Sequence, residues 1–488
     1  MRARPWCGLV AVLVLATAPS LGMPRSVITI DRVPPTTSVL LIVTDDQRWD
    51  TLWAMPRVQR LLVERGLRFD EAFVSNPLCC PSRATILTGD LSHTTGVYRV
   101  TPPYGGFVSF HDADTLATRL HGAGYATGLF GKYLDAYQGA AVRGYVPPGW
   151  DRWVAMVHSQ YEGYKLTVDG EVTSAAPGDY APDVLGDEAE AFIRGTAGPL
   201  FVMYAPPTPH APATPRAADA GAFADLEPAR PPSYDRPIDG APQHMRDLPP
   251  VDDATVQDLR RDQYASLLAV DRQVASLVRA LRDTGRLRDT LIVFTSDNGL
   301  QWGEHGWTKK EVPYEESIRV PLVMRLDREG TAGASTPAMV LNTDLAPTIV
   351  DAAGVDAAAS DGQSLMPLLR DPSGPGRAAI VLEHMRGTNP VPTYCGVRTT
   401  EAKFVRYATG EEELFDLRAD PFELRNIATT SPERDRMASM LDAMCRPRPP
   451  GWFDGRGGPA AAAIVALALG LAVASRRRYS VGLAGPSR

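Results

Sequence analysis

The chain has 488 residues, 44% hydrophobic and 22% charged, the proportions of a folded globular protein with room for one large domain and a smaller one. With 57 acidic against 50 basic side chains the net charge is −7, which excludes a nucleic-acid binder that works through bulk positive charge. No repeat of fixed period is visible, which argues against a solenoid.

In chain order, Met1–Cys7 carries Arg2 and Arg4, and Gly8–Ala18 is a short apolar run followed by small residues. This predicts a signal peptide over residues 1–22, the run being short for a bilayer span, with an uncleaved anchor as the rival reading. Val39–Val43, Ala126–Phe130, Leu200–Tyr204 and Leu291–Thr295 read as buried strands bounded by turn residues. Between them, Leu116–His121, Val184–Ile193 and Tyr264–Leu281 have helical patterns. Such alternation predicts an α/β fold, a mostly parallel central sheet with helices on both faces. Pro206–Pro250 is rich in Pro, Ala and Asp without a period, and is expected to be a functional lid or a variable insertion.

From Ala378 the texture changes. Val397–Arg398, Lys403–Tyr407 and Glu413–Leu417 predict a small antiparallel sheet, with a helix at Arg434–Met444. The boundary falls near Pro372–Arg377, giving a main domain over 37–374 and a C-terminal α+β subdomain over 375–447. Ala460–Ala474 lacks charge and is followed by Arg476, Arg477 and Arg478. That predicts a transmembrane anchor over 459–475 with a basic cytoplasmic tail over 476–488, against a surface helix or a tail removed after export. Of five cysteines, Cys79 and Cys80 are adjacent, while Cys395 and Cys445 stand apart in the C-terminal part. Export permits a bridge between the last two; sequence does not fix its geometry.

The chemistry is expected where strands end, because ligands in open α/β sheets gather beyond the carboxyl ends of the strands. The first strand leads into Thr44-Asp45-Asp46-Gln47, and the late one into Ser296-Asp297-Asn298-Gly299. Asp45, Asp46, Asp297 and Asn298 make an all-oxygen donor set for a hard cation. Taken singly, an Asp-Asp pair after a strand is more often a helix cap or turn; two such strand ends in one chain bring the two readings level. The string Asn76-Pro77-Leu78-Cys79-Cys80-Pro81-Ser82-Arg83-Ala84-Thr85 opens a helix, with Pro81 in the first turn. Cys79 then sits at a helix N-terminus, where backbone N–H groups favour an anion, and Arg83 shares its face. The bland alternative is a cysteine pair capping a helix, reduced or joined as a vicinal disulfide.

The whole string resembles the sulfatase signature, Cys-x-Pro-Ser-Arg followed by Ala, Thr and Thr-Gly, with Cys79 at the cysteine that is oxidised to formylglycine. The resemblance runs in order through Leu41–Gln47, Cys79–Gly89, Gly131–Tyr137, Tyr145–Trp150, Thr208-Pro209-His210, Thr295–Gly299, Tyr314–Pro321 and Leu414–Leu417. It covers about Val39 to Ile427. The block Gly131-Lys132-Tyr133-Leu134 leading to Val146-Pro147-Pro148-Gly149-Trp150 is most similar to the N-acetylglucosamine-6-sulfatase and heparan sulfatase branch.

That resemblance implies an alkaline-phosphatase-like core over 37–374, one Ca²⁺, and hydrolysis of a sulfate ester of a saccharide. The cation ligands would be Asp45, Asp46, Asp297, Asn298 and the modified Cys79. Arg83 would hold the formylglycine hydrate, and Lys132 and Lys310 would contact the sulfate. His210 would bind sulfate or move a proton. A formylglycine-generating enzyme is the implied maturation partner. By spacing from Tyr314, Lys310 is preferred to Lys309.

Two departures matter. Where many arylsulfatases have Lys-x-His, this chain has Lys132-Tyr133-Leu134, so a second proton carrier stays unassigned. His305, in Gly303-Glu304-His305-Gly306, is a candidate to act near the substrate, and His93 is read as structural. The alternatives are a phosphonate or phosphate ester hydrolase with the same signature, and a cell-surface carbohydrate-binding protein with an unconverted Cys79.

Overall fold

β1 (Ser38–Thr44) sets the frame. Its sequence SVLLIVT is apolar and β-branched, and every residue is buried. Successive side chains of a strand point to opposite faces. Val39, Leu41 and Val43 therefore enter one core, and Leu40 and Ile42 another. The first core is closed by the helices Cys79–Thr88, Leu116–Gly122 and Leu345–Ala353. The second is closed by Ala181–Gly195 and the long helix Asp253–Asp283. Local chemistry starts these helices. Thr115 and Thr118 form a capping box, and Asp252 accepts from the Ala254 and Thr255 N–H groups.

The structure is a computed structural model describing residues 37–452 apart from 247, 331 and 357. Its other strands are β2 (Leu67–Phe73), β3 (Ala126–Gly131), β4 (Arg152–Met156), β5 (Lys165–Val168), β6 (Glu171–Ser174) and β7 (Leu200–Ala205). They continue with β8 (Thr290–Ser296), β9 (Leu322–Arg325), β10 (Ala334–Leu341), β11 (Ala379–His384), β12 (Tyr394–Thr399), β13 (Ala402–Tyr407) and β14 (Glu412–Asp416). The large sheet has the order β10-β2-β9-β8-β1-β7-β3-β4-β5-β6. From β8 to β4 every pairing is parallel, with Leu41 opposite both Val293 and Met203. The antiparallel pairings lie outside this centre, around β9 on one side and between β4, β5 and β6 on the other.

The expected α/β architecture is present, and all four expected strands lie inside β1, β3, β7 and β8. The second sheet, β11-β12-β13-β14, is antiparallel throughout, and the helix Arg434–Met444 packs on it. The Glu383 N–H donates to the Ser75 carbonyl at 2.8 Å, tying the small sheet to the segment just before Cys79. Cys395, in β12, is joined to Cys445 by a disulfide.

Residues 206–250 contain mainly turns and a short 3₁₀ helix, Gln243–Met245. They are packed down, with Ile238, Ala241 and Met245 in the core beneath the small sheet. Among the described residues no helix is long and apolar enough to cross a membrane. The expected signal segment 1–22 and anchor 459–475 lie outside the described residues.

Candidate active site and cation centre

The ends of β1 and β8 are adjacent and parallel, which brings Asp45-Asp46 beside Asp297-Asn298. The Asp297 N–H donates to the Thr44 carbonyl at 3.1 Å, and the Asp46 N–H donates to the Asp297 carboxylate at 3.2 Å. Asp46 has φ 66°, in the left-handed region that non-glycine residues rarely adopt and that clusters at functional sites. On the other side of β1, the Asp45 N–H donates to the Thr208 carbonyl at 2.9 Å, fixing the turn that carries His210.

The helix Cys79–Thr88 is buried over its whole length, and Gly89 ends it in the left-handed conformation at φ 85°. Cys79 is its first residue. Its thiol donates to Asp45 Oδ1 at 3.3 Å and receives Lys310 Nζ at 2.7 Å. Lys132 follows β3, at a point where the chains nearly touch. A side chain on Gly131, at φ 133°, would put its Cβ 1.9 Å from the Ala205 carbonyl oxygen. That close approach lets the Lys132 N–H donate to the Ala205 carbonyl at 2.7 Å and delivers its Nζ to Asp45 Oδ2 at 2.6 Å.

Each carboxylate thus has a cation of its own. Lys132 pairs with Asp45, Lys310 Nζ with Asp46, and Arg83 Nε with Asp297 Oδ2 at 2.7 Å. Arg83 also donates to the Lys132 carbonyl at 2.9 Å, while its Nη2 is buried without a hydrogen bond, 3.8 Å from Asp45. Burial works against a charged Asp45, but Lys132, with His210 and Arg83, holds its carboxyl well below the usual range. Burial, with the Asp45 charge, moves Asp297 the other way, to about 6. Burial and Asp45 also push the Cys79 thiol up. For Lys132 and Lys310, Asp45 and Asp46 outweigh burial and raise the ammonium pKa, so both stay charged at neutral pH.

Ligand atoms of Asp45, Asp46, Asp297 and Cys79 lie within 4.8 Å of one another, all buried. Asn298 adds a buried amide oxygen with no hydrogen-bond partner, while its Nδ2 donates to Asp46 at 2.6 Å. Hard oxygen donors around one point, one of them orphaned, fit a calcium-type cation.

His210 lies at the mouth, with 36% of its side chain exposed. Its Nδ1 donates to the Ala211 carbonyl at 2.7 Å, which leaves Nε2 unprotonated in the neutral ring, 3.8 Å from Asp46. Tyr161 and Gln263 hold this turn. The Tyr161 hydroxyl donates to the His210 carbonyl at 2.7 Å, and Gln263 to the Pro209 carbonyl at 3.0 Å. Sequence reasoning missed both residues: Tyr161 lies in an irregular stretch, and Gln263 reads as one more polar position on a helix.

Other candidates separate from this group. Lys309 is exposed and donates to Asn389, whereas Lys310 turns inward. Leu134 is buried in the apolar core. His305 is buried against the Tyr314 ring and grouped with Glu316 and Glu423, apart from the residues around Cys79, so the expectation that it acts near substrate is corrected. His93 pairs with buried Glu383 at 2.6 Å, a structural contact.

The sulfatase family pattern matches residues 37–355, and one described as N-sulphoglucosamine sulphohydrolase, C-terminal, matches residues 303–447. The chain is 32% identical to the N-acetylglucosamine-6-sulfatase of Homo sapiens, the match covering 86% of this chain and 87% of that one. It is 33% identical to the extracellular sulfatase SULF-1 homolog of Drosophila melanogaster, over 68% of this chain and 31% of that longer one. A protein solved in complex with its substrate D-glucosamine-2-N,6-O-disulfate has the same fold, with TM-score 0.76 and 25% identity over 84% of this chain and 97% of that one. The chain belongs to the sulfatase family and is a sulfuric ester hydrolase.

Proposed function

We propose that the enzyme releases sulfate from a sulfated saccharide carrying glucosamine-6-sulfate, using a formylglycine made from Cys79 beside one Ca²⁺. The observation that carries this reading is the convergence on Cys79 Sγ of the Asp45 carboxylate at 3.3 Å and Lys310 Nζ at 2.7 Å, at a helix N-terminus. The saccharide follows from the relatives: the human protein's name and the ligand of the solved neighbour both carry glucosamine sulfated at position 6.

A buried thiol with a raised pKa is a weak nucleophile, whereas a hydrated aldehyde offers one hydroxyl to bond sulfur and a second to expel sulfate afterwards. Ca²⁺, held by Asp45, Asp46, Asp297, Asn298 and the Cys79 position, would supply Lewis-acid stabilisation of the nucleophile and a sulfonyl oxygen. Lys132 and Lys310 flank the same point as permanent ammonium groups and oppose the charge that builds on the sulfonyl oxygens. Arg83 fixes Asp297, and its Nη2, without a hydrogen bond and 3.8 Å from Asp45, would be the group to hold the formylglycine hydrate. His210 Nε2 is the remaining group with a free lone pair at the mouth, placed to exchange a proton at the ester oxygen.

Residues 37–374 would form the catalytic domain and 375–447 the subdomain that steadies it. Export is supported by the extracellular relative and by the Cys395–Cys445 disulfide, which suits an oxidising compartment. Retention by residues 459–475 would be tested by alkaline extraction of membranes.

The decisive assay is sulfate release from a panel of sulfated sugars, run beside an aryl phosphate ester. N-acetylglucosamine-6-sulfate should be the best substrate, Cys79→Ala should be inactive but folded, and the native Cys79 peptide should have the aldehyde mass. Full turnover by Cys79→Ala, or after calcium chelation, would overturn the mechanism. A preference for the phosphate ester would overturn the substrate class.

A further inference from the structure

A second buried group lies away from Cys79, where the loop that carries Lys310 meets the C-terminal part of the chain. His305, Glu316 and Glu423 are 2%, 8% and 1% exposed, and one ligand atom from each lies within 4.8 Å of the others. Three separate stretches supply them: the Gly303–Gly306 turn, the helical turn Glu315–Ile318, and the segment after β14. No hydrogen bond joins the three. Neither ring nitrogen of His305 has a hydrogen-bond partner, and Glu316 Oε2 has none. Glu423 accepts from the Glu315 N–H at 2.9 Å, and its other oxygen is 2.5 Å from Lys403 Nζ.

Charge points the same way. Glu304, Glu315, Glu316, Glu413 and Glu423 are all buried and near enough to act on one another electrostatically, and the buried cations that face them are Arg48, Arg398 and Lys403. Arg48 is engaged by Glu304 and the more exposed Asp50, Arg398 by Glu315 and the half-buried Glu71, and Lys403 by Glu315 and Glu423, while the less buried Arg319 pairs with Glu71. Two carboxylates therefore exceed the cations, in a region where unmatched buried charge is costly. A divalent ion would balance them. The mix of one imidazole with carboxylates suits Zn²⁺, and differs from the oxygen-rich set at the strand ends.

We propose that His305, Glu316 and Glu423 form a second, buried cation site that takes Zn²⁺. Zinc ligands at about 2.0–2.2 Å from a tetrahedral centre lie roughly 3.4 Å apart, a contraction that small rotations of two glutamates can supply. Lys403 would then turn wholly to Glu315. The ion would join the loop leading to Lys310 to the C-terminal subdomain, a bracing role independent of the chemistry proposed at Cys79.

The test is the metal content of full-length protein from cells grown with added Zn²⁺ and purified without chelator. One Zn²⁺ per chain is expected in the unaltered protein. It should persist in an Asp46→Asn, Asp297→Asn double variant, which disables the strand-end centre, and be lost from His305→Gln and Glu316→Gln. Anomalous diffraction at the zinc edge from the unaltered protein covers the case in which those variants fail to fold, and should place a peak between the three side chains. Absence of Zn²⁺ from the unaltered protein, its retention in folded His305→Gln, or a peak elsewhere would each overturn the site; in the first case protons on Glu316 and Glu423 would account for the excess charge.

Discussion

Two buried charge clusters lie in this protein, and they are built differently. At the ends of β1 and β8, Asp45, Asp46 and Asp297 face Lys132, Lys310 and Arg83, one cation to each carboxylate. Around Glu316 and Glu423 the carboxylates outnumber the cations, and the group is sealed from solvent. The first cluster opens at His210, whose side chain is 36% exposed. On the proposed chemistry, a divalent ion taking the carboxylates would leave Lys132 and Lys310 free to meet an incoming anion. The second cluster has no opening to solvent, and its buried cations are all engaged by carboxylates. Both are buried, but only one is arranged to change partners.

Substitutions can break that contrast. The largest effect should come from Arg83→Ala, which acts on folding and catalysis together. Removing one member of a fully buried pair leaves Asp297 uncompensated and should cost about 3–5 kcal/mol in denaturant unfolding, with sulfate release falling below detection. Lys132→Ala and Lys310→Ala should each lower kcat by about 10²–10³, while Lys309→Ala, one residue away and exposed, stays within about twofold. Steady-state rates on the same sulfated sugar compare all three.

Lys403→Met tests the other cluster. It should also cost about 3–5 kcal/mol, by stranding Glu423 and leaving Glu315 with Arg398 alone, yet the folded fraction should keep kcat within about tenfold. A loss of turnover as deep as that of Lys310→Ala would erase the distinction between the clusters.

The smallest effect is pH-dependent. Burial alone would lower the pKa of His93, but its hydrogen bond to Glu383 raises it overall. A histidine whose pKa is raised on folding adds stability that is complete below about pH 6.5 and fades as pH climbs past the raised value. His93→Gln should therefore cost about 1 kcal/mol in mildly acid buffer and progressively less in alkaline buffer, measured by urea titration.

The strand-end cluster was legible in the sequence because each of its parts is short and local. A hydrophobic run followed by Asp45-Asp46, another followed by Asp297-Asn298, and a helix opened by Cys79 each carry their own signal. The parallel register of β1 and β8 then brings them together. His305, Glu316 and Glu423 gave no comparable signal, since their meeting depends on tertiary packing between a loop and a segment after β14. The edge strand β6 and the short inner strand β9 were missed for another reason. β6 (EVTS) is exposed throughout, and β9 has only four residues, so neither shows a buried apolar period of useful length. The long helix was read from Tyr264 yet begins at Asp253, because its first turns are largely polar and bury Gln257, Arg260 and Gln263 where an apolar stripe would be expected. Residues 206–250 lack any period, so the sequence could not say that their apolar side chains pack under the small sheet.

The helix that starts at Cys79 is enclosed on every side: all ten of its residues are buried, and Cys79 itself is 3% exposed. On the proposed chemistry, an oxidising enzyme would have to reach Cys79 before this enclosure is complete. Conversion would then be a race that closes when the chain collapses, and any molecule that folds first would keep its sulfur permanently. Specific activity in a preparation would then record the timing of synthesis and export, and later treatment of the folded protein could not repair it.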